Sequence, residues 1–430
     1  MSREMKHSGV PWIGEIPKEW NVGKVKNFYR FFTGFTPDTK NESYYDNENG
    51  IPWATISDLS GKYIETTKGG ISQLYINQKF PMLIPKGSLL YSFKLSVGQV
   101  ARTKIELYTN EAIAAFLPED EVSLDYLYYS SQVCIIENAN ENIYGAKLLN
   151  QELINNAIIL YPPLSDQQKI AEFLDKKCGE VDEMIALQEQ IIEELKAYKQ
   201  SVITEAVTKG LNPNVTMNDS GIEWIGEIPE HWEIKKIKHL SHVVRGGSPR
   251  PAGDLRYYVG NIPFMKVADI TKDDKIYVDK CEYTIKEAGL SHTRMIKPNT
   301  LLLTNSGATL GVPKINTFDT TFNDGIAAFL NLDISLDIIF AYYSLKARTQ
   351  YFIDSASLGI GQPNLNTDII GSTYLLVPPI YEQQIIVDFL NEKCADVDAL
   401  ISIKQRKIES LKEYKKSIIY EYVTGKKEVK

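Results

Sequence analysis

From Ser165 to about Thr208 the chain has no proline, and apolar residues recur at steps of three and four: Ile170, Phe173, Leu174, Val181, Ile185, Ile192, Leu195, Val202 and Ala206. That period predicts a long amphipathic helix. The pattern returns from about Glu382 to Thr424, through Ile386, Phe389, Leu390, Val397, Ile401, Ile408, Leu411, Ile418 and Tyr422. At about 1.5 Å per residue each helix would run roughly 60 Å, and a stripe of that length is too long for one compact domain to cover. The two helices are therefore expected to bury their stripes against each other as a coiled coil, with Val181, Leu195, Val397 and Leu411 on the seam. Ser165 with Gln168 fits a capping box, and Asp166 suits the positive helix end. Tyr381 holds the corresponding position in the second helix, so that boundary is less sharply marked.

Ahead of each helix the pattern changes. Short runs rich in Tyr, Phe, Thr, Ile and Val, such as "GGISQLYI", "GSLLYSF" and "TLLLTNSGATLGVPKI", are broken by Gly, Pro, Asn and Asp and predict strands and turns. "LDYLYYSSQVCII" and "LDIIFAYYSLKARTQYFI" add helices, which makes each segment mixed. The expected class is α+β.

The segments also repeat in order. "GVPWIGEIPKEW" at Gly9 is answered by "GIEWIGEIPEHW" at Gly221, "IPWATISDL" by "IPFMKVADI", and "NEAIAAFL" by "NDGIAAFL". "LYPPLSDQQKIAEFLDKKCGEVDEMI" from Leu160 is answered by "LVPPIYEQQIIVDFLNEKCADVDALI" from Leu376. The chain is a tandem duplication of a unit of about 210 residues. It divides into a first head (1–160), a central helix (161–210), a second head (211–376) and a distal helix (377–430). Antiparallel helices related by a pseudo-twofold axis let like surfaces meet. Two heads on a ruler suit a long periodic ligand such as DNA, whose groove faces return about every 34 Å; a two-headed coiled-coil protein adaptor without a DNA role is the alternative.

A net charge of −8 over 430 residues argues mildly against nucleic acid, but much of the acid lies on the central helix. The second head contains "KKIKHLSHVVRGGSPRPAGDLRYY", where Lys235, Lys236, Lys238, Arg245, Arg250 and Arg256 face only Asp254. A glycine-rich loop carrying arginines can approach phosphates closely and offer bidentate donors to guanine edges. Candidate DNA contacts are Arg245, Arg250, Arg256, Lys266 and Asn305 in the second head, and Lys40, Tyr45, Thr55, Lys94 and Arg102 in the first. The four scattered cysteines suggest neither a zinc site nor a disulfide framework and are expected to be reduced and buried. No apolar run reaches the roughly 18–20 residues that span a bilayer, so no membrane role and a cytoplasmic location are expected.

"WIGEIPEHW", "RGGSPRP", "IPFMKVADI", "TNSGATLG", "GQPNLNTDII" and "VPPIYEQQIIVDFLNEKCADVDALI" resemble, in order and over essentially the whole chain, the DNA-specificity (S) subunit of type I restriction-modification enzymes. The resemblance implies two target recognition domains separated by spacer helices that dock methylation subunits. It implies recognition of a bipartite DNA target, one half-site per head, for adenine methylation and, with restriction subunits, for cleavage. The repeated helix ends predict two methylation subunits per chain. S-adenosylmethionine, ATP and magnesium would belong to the partner subunits, with no cofactor bound by this chain. The first copy departs where Phe35 replaces a glycine of the second copy's turn, and "YGAKLLNQELI" only loosely matches "IGQPNLNTDII", so the heads should read different sequences.

No catalytic constellation accompanies these motifs. "YPPL" and "VPPI" lack the Asn or Asp before Pro-Pro and the aromatic after it that an adenine methyltransferase needs, and fit helix-entry punctuation. "LGIGQPNL" lacks the third glycine of a dinucleotide loop, and GxxxxGK[ST] is absent. His239 and His242 have no further ligand at metal spacing and are expected at a surface or interface.

Overall fold

The computed structural model describes residues 3–141, 145, 147–222, 225–307, 309–357 and 365–429. The "LGIGQPNL" loop up to residue 364, Tyr144 and Ala146 of "YGAKLLNQELI", and Glu223 and Trp224 of the second opening phrase lie outside the described residues. The chain forms two compact units, 1–189 with 406–430, and 190–405. Both long helices therefore begin in one unit and end in the other.

Each unit is built on the same plan. In unit 1 the main sheet has the order Phe31–Thr33, Ile113–Phe116, Leu89–Ser92, Val100–Thr103, Tyr63–Ile64. In unit 2 the order is His242–Arg245, Ile326–Leu330, Leu301–Thr304, Pro313–Asn316, Tyr277–Val278. The first four strands of each are antiparallel and the last joins in parallel. Leu89, Leu90 and Tyr91, like Leu301, Leu302 and Leu303, are fully buried or nearly so, which explains why these central strands read as unbroken apolar runs. A second small sheet follows: Tyr108–Thr109, Ile51–Ala54 and Gly69–Ile71 in unit 1, and Tyr283–Ile285, Tyr258–Met265, Thr320–Phe322 and Met295–Ile296 in unit 2. "GGISQLYI" is a strand only as far as Ile71; Ser72 then caps a helix over Gln73–Lys79.

The central helix spans Leu164–Lys209 and the distal helix Ile380–Val423. Gly210 (φ +73°) ends the first, a left-handed position that favours glycine. The first helix starts at Leu164, directly after Pro162–Pro163, so Ser165 lies inside it and does not act as its cap. Other side chains do the anchoring. The buried Gln167 amide donates to the Pro162 carbonyl at 2.9 Å and accepts from the backbone of Ser123, the cap of the helix Leu124–Cys134, at 3.1 Å. Gln383 repeats this on Pro378 and Ser335, both at 2.7 Å, and accepts from the Asp337 backbone at 2.8 Å.

In unit 1 the start of the central helix runs antiparallel to the end of the distal helix, with Lys415 on Asp182 at 2.7 Å and Phe173 against Tyr422. In unit 2 the end of the central helix runs antiparallel to the start of the distal one, with Lys199 on Asp398 at 2.8 Å. Val181 and Val397 are buried and Leu195 and Leu411 half-buried. The repeated opening phrase covers the helix ends. In unit 1 Ile13, Ile16 and Trp20 pack with Ile418, Ile419 and Val423; in unit 2 Ile225, Ile228 and Trp232 pack with Ile203, Ala206 and Val207. Each tryptophan Nε1–H donates to the acid at the start of the other helix of its pair, Trp20 to Asp166 at 3.2 Å and Trp232 to Glu382 at 2.8 Å. Burial at Cys134, Cys178 and Cys394 is near complete, whereas Cys281 is half-buried; all four are free thiols.

Candidate nucleic-acid interface

The glycine-rich loop of each head leaves the edge strand of the main sheet and is held by the same three devices. The first is a close backbone approach: a Cβ on Gly34 would meet the Thr109 carbonyl oxygen at 1.8 Å, and one on Gly246 the Asn323 oxygen at 2.3 Å, so only glycine fits. The second is a hydroxyl on an acid. Thr36 donates to Glu111 in the first head, and Ser248 donates to Asp324 at 2.7 Å in the second. The third is a tyrosine strut, with Tyr45 donating to the Pro37 carbonyl and Tyr258 to the Pro249 carbonyl, each at 2.8 Å.

On this shared frame the second head gathers cations. Asp324 is the hub: its backbone oxygen accepts from Arg245 Nε at 2.6 Å, and its carboxylate faces Arg250 at 3.3 Å. Burial works against the Asp324 charge, but Ser248, Arg250 and Arg245 outweigh it and hold the carboxyl below its ordinary range. Arg294 Nε donates to the Arg245 carbonyl at 3.0 Å and brings a further guanidinium to the loop. Arg256 is chelated by Asp254 at 2.6–3.1 Å and lies 5.5 Å from the Tyr257 ring. Arg250 and Arg256 keep about 70% of their side chains exposed, at 71% and 70%. A carboxylate that holds a guanidinium in one pose lowers the ordering cost of a later bidentate contact.

The first head differs at those outward positions. Thr33 and Asp38 stand where Arg245 and Arg250 stand in the second. Of its candidate contacts, the exposed cations are Lys40, in the loop behind Asp38, and Lys94, beside Glu111; the Thr36 hydrogen bond, with a smaller contribution from Lys94, holds Glu111 below the usual carboxylate range. The Phe35 ring stacks on Tyr75 at 5.1 Å, and Trp53 Nε1–H donates to the Phe35 carbonyl, which fills the space an extra glycine would leave.

The remaining candidates sit inside the frame. Thr55 starts a short helix, its backbone and hydroxyl both donating to Asp58 at 2.8 and 2.9 Å. Lys266 holds the same place in the second head: its backbone donates to Asp269 at 2.8 Å, and its ammonium rests 3.2 Å from the Tyr283 ring centroid. Arg102 pairs with Asp125 and donates to the Gly87 carbonyl, leaving 15% of its side chain exposed. Asn305 is fully buried, with its amide unpartnered. The residues that sequence reasoning missed are Asp324, Ser248, Arg294, Glu111 and Thr36; the signal for Asp324 with Glu111 and for Ser248 with Thr36 was their matched position in the two copies, and Arg294, opposite Met82, had none.

His239 and His242 bring no metal cluster with them; among the described residues no group of three or more His, Cys, Asp or Glu is arranged to hold a metal ion. No helix among those residues is long and apolar enough to cross a membrane.

Comparison with known proteins places this geometry. The type I restriction modification DNA specificity domain matches twice, at residues 17–197 and 229–413, each match taking in a head and most of the helix after it. The chain is 27% identical over 432 residues to the type I restriction enzyme MjaIX specificity subunit of Methanocaldococcus jannaschii, covering 96% of this chain and 94% of that one. It is 24% identical to the EcoBI specificity subunit of Escherichia coli, over 93% and 84% respectively. A solved chain from work on complex assembly and conformational transition of the type I R-M system has the same fold, with a TM-score of 0.70 at 16% identity over 95% of this chain and 98% of that one. Specificity subunits such as these relatives are the non-catalytic components of their systems. Two copies of one loop frame, each on a helix pair and each matched separately, lead to one assignment: the chain belongs to the type I restriction-modification DNA specificity family, with one specificity domain in each repeat.

Proposed function

We propose that this chain is the specificity subunit that reads a bipartite double-stranded DNA target, one half-site per head, and directs partner subunits to it. The observation that carries the reading is the arginine loop on Asp324, repeated in frame but not in charge on Glu111. In the second head Arg245, Arg250 and Arg256 make the direct contacts, with Lys266 released from Tyr283. In the first, Lys40 and Lys94 do so. Tyr45, Thr55, Arg102 and Asn305 shape the loops from behind. Adenine methylation then comes from methylation subunits using S-adenosylmethionine, and cleavage from restriction subunits using ATP and magnesium.

Repeated exposed apolar residues on the helices support docking of two methylation subunits. Met184 and Leu187 on the central helix are 43% and 53% exposed, and their equivalents Leu400 and Ile403 on the distal helix are 46% and 50% exposed. Exposed apolar pairs repeated in this way fit two copies of one partner. Leu187→Glu and Ile403→Glu are each expected to remove one methylation subunit in native mass measurements, and a one-to-one complex of the unaltered chain would overturn that stoichiometry. For the function itself, methylated adenines are mapped by single-molecule sequencing in cells carrying the chain with its methylation subunit. A chain-dependent bipartite motif is expected, and exchanging the first head changes one half of it. No motif from an assembled complex, together with no direct DNA binding, would leave the adaptor reading.

A further inference from the structure

Each head sits on its own helix pair through a seat in which a tyrosine pair and an Asp–Lys pair recur, while the other charges on it do not. In unit 1 Lys62 of the head pairs with Asp175 of the central helix, and the Tyr129 hydroxyl donates to the same carboxylate at 2.5 Å. The Lys62 ammonium also lies 5.3 and 5.6 Å from the Tyr128 and Tyr129 rings. Two helical turns further along, Asp182 holds Lys415. In unit 2 the tyrosines recur as Tyr342 and Tyr343, and the Asp–Lys pair as Asp398 and Lys199. Two charges are switched. Ile276 stands at the strand position of Lys62, but from the longer loop just before it Asp274 reaches the seat, where it takes Lys199 at 3.0 Å and Lys346 at 2.7 Å, and Asn391 replaces Asp175 on the helix, where it accepts from Tyr343 at 2.8 Å.

We propose that these switched charges form a charge key that matches each head to its own helix pair and rejects the other head. The first head on the second seat would leave Lys62 facing Asn391 in place of its carboxylate. The second head on the first seat would bring Asp274 toward Asp175. Lys62 is only 20% exposed, so solvent screens its loss of a partner incompletely, whereas Asp175 and Asp274 are 39% and 70% exposed and their repulsion is the weaker part of the key. Selectivity of this kind comes from what the wrong partner leaves unpaired, as much as from what the right one gains.

The key sits partly on helix residues that touch no proposed DNA contact, which makes it separable from sequence reading. The test uses the full chain and a second full chain in which residues 1–160 and 211–376 are exchanged. The helix substitutions Asp175→Asn and Asn391→Asp are introduced together in both. In the native order they are expected to lower the melting temperature by about 2–4 °C, and in the exchanged order to raise it by a similar amount. Shifts of the same sign in both chains would overturn the key, because a purely structural role cannot reverse sign. Should the exchanged chain fail to fold, native-order cycles decide: Lys62→Gln with Asp175→Asn, and Asp274→Asn with Asn391→Asp. Non-additive losses at both seats support the key, and additive losses at either seat overturn it.

Discussion

The two heads hold their loops by the same means and charge them in opposite ways. A glycine against a strand carbonyl, a hydroxyl on an acid and a tyrosine on a proline carbonyl recur at Gly34, Thr36 and Tyr45 and at Gly246, Ser248 and Tyr258. The outward positions of that frame are Thr33 and Asp38 in one head and Arg245 and Arg250 in the other. Duplication has therefore kept what shapes the loop and changed what the loop presents. A frame held by close packing tolerates little change, whereas an outward, largely exposed side chain can be replaced without disturbing the core.

The largest expected effect tests the shared part. Trp20 is fully buried and Trp232 is 5% exposed, and each locks an opening phrase onto a helix end. Trp20→Ala and Trp232→Ala should each cost about 3–5 kcal/mol in denaturant unfolding. A large loss in one unit and a small one in the other would break the equivalence of the two plans. Next comes the part that differs. Arg250→Ala should weaken DNA binding by about 1–3 kcal/mol and relax one position of one half-site, whereas Asp38→Ala, at the matching place, should relax none. Binding measured across a panel of single-base variants separates the two; equal weakening on every sequence would make Arg250 a phosphate contact.

The buried glutamines sharpen the comparison further. Gln383 makes three hydrogen bonds where Gln167 makes two, so Gln383→Ala should destabilise by more than Gln167→Ala, within about 1–3 kcal/mol for each. Calorimetric unfolding of the two variants gives the order, and the reverse order would mean that the Ser335 contact contributes nothing.

How much of this was legible depends on whether the signal is local. The helices were readable because a 3.6-residue stripe is written in neighbouring residues, and the repeat let each half vouch for the other. The start of the central helix was misread because Ser165 has the chemistry of a cap, while Pro162–Pro163 and the Gln167 bridge, which needs a partner 44 residues away, set the boundary one residue earlier. The helix that begins inside "GGISQLYI", a stretch read as strand and turn, was missed because its Ser72 cap signal lay inside an apolar run. At the candidate interface, arginines in a glycine-rich loop announced themselves, but the Asp324 hub did not. It sits 74 residues from Arg250, and nothing in "NDGIAAFL" alone distinguishes a hub from a solvated acid.

The smallest expected effect concerns the acids that anchor the tryptophans. Burial disfavours the Glu382 charge, but the Trp232, His231 and Tyr381 hydrogen bonds outweigh it and lower the carboxyl from its ordinary value of 4.5. A carboxyl lowered by folding stabilises the folded state fully above its unfolded value, and that contribution is lost as pH falls through the lower, folded value. Glu382→Gln should therefore reduce the melting temperature at pH 7 by an amount that persists down to about pH 4.5 and then closes as the solution becomes more acid. The gap should be largest with Trp232 intact and smaller in a Trp232→Phe background, where the indole donor is gone and the His231 and Tyr381 contacts remain. A gap that stays constant from pH 7 to pH 3 would mean that Glu382 acts through its shape and its contacts alone, with no contribution from its charge, and that the acid in front of each tryptophan is a matter of packing in both units.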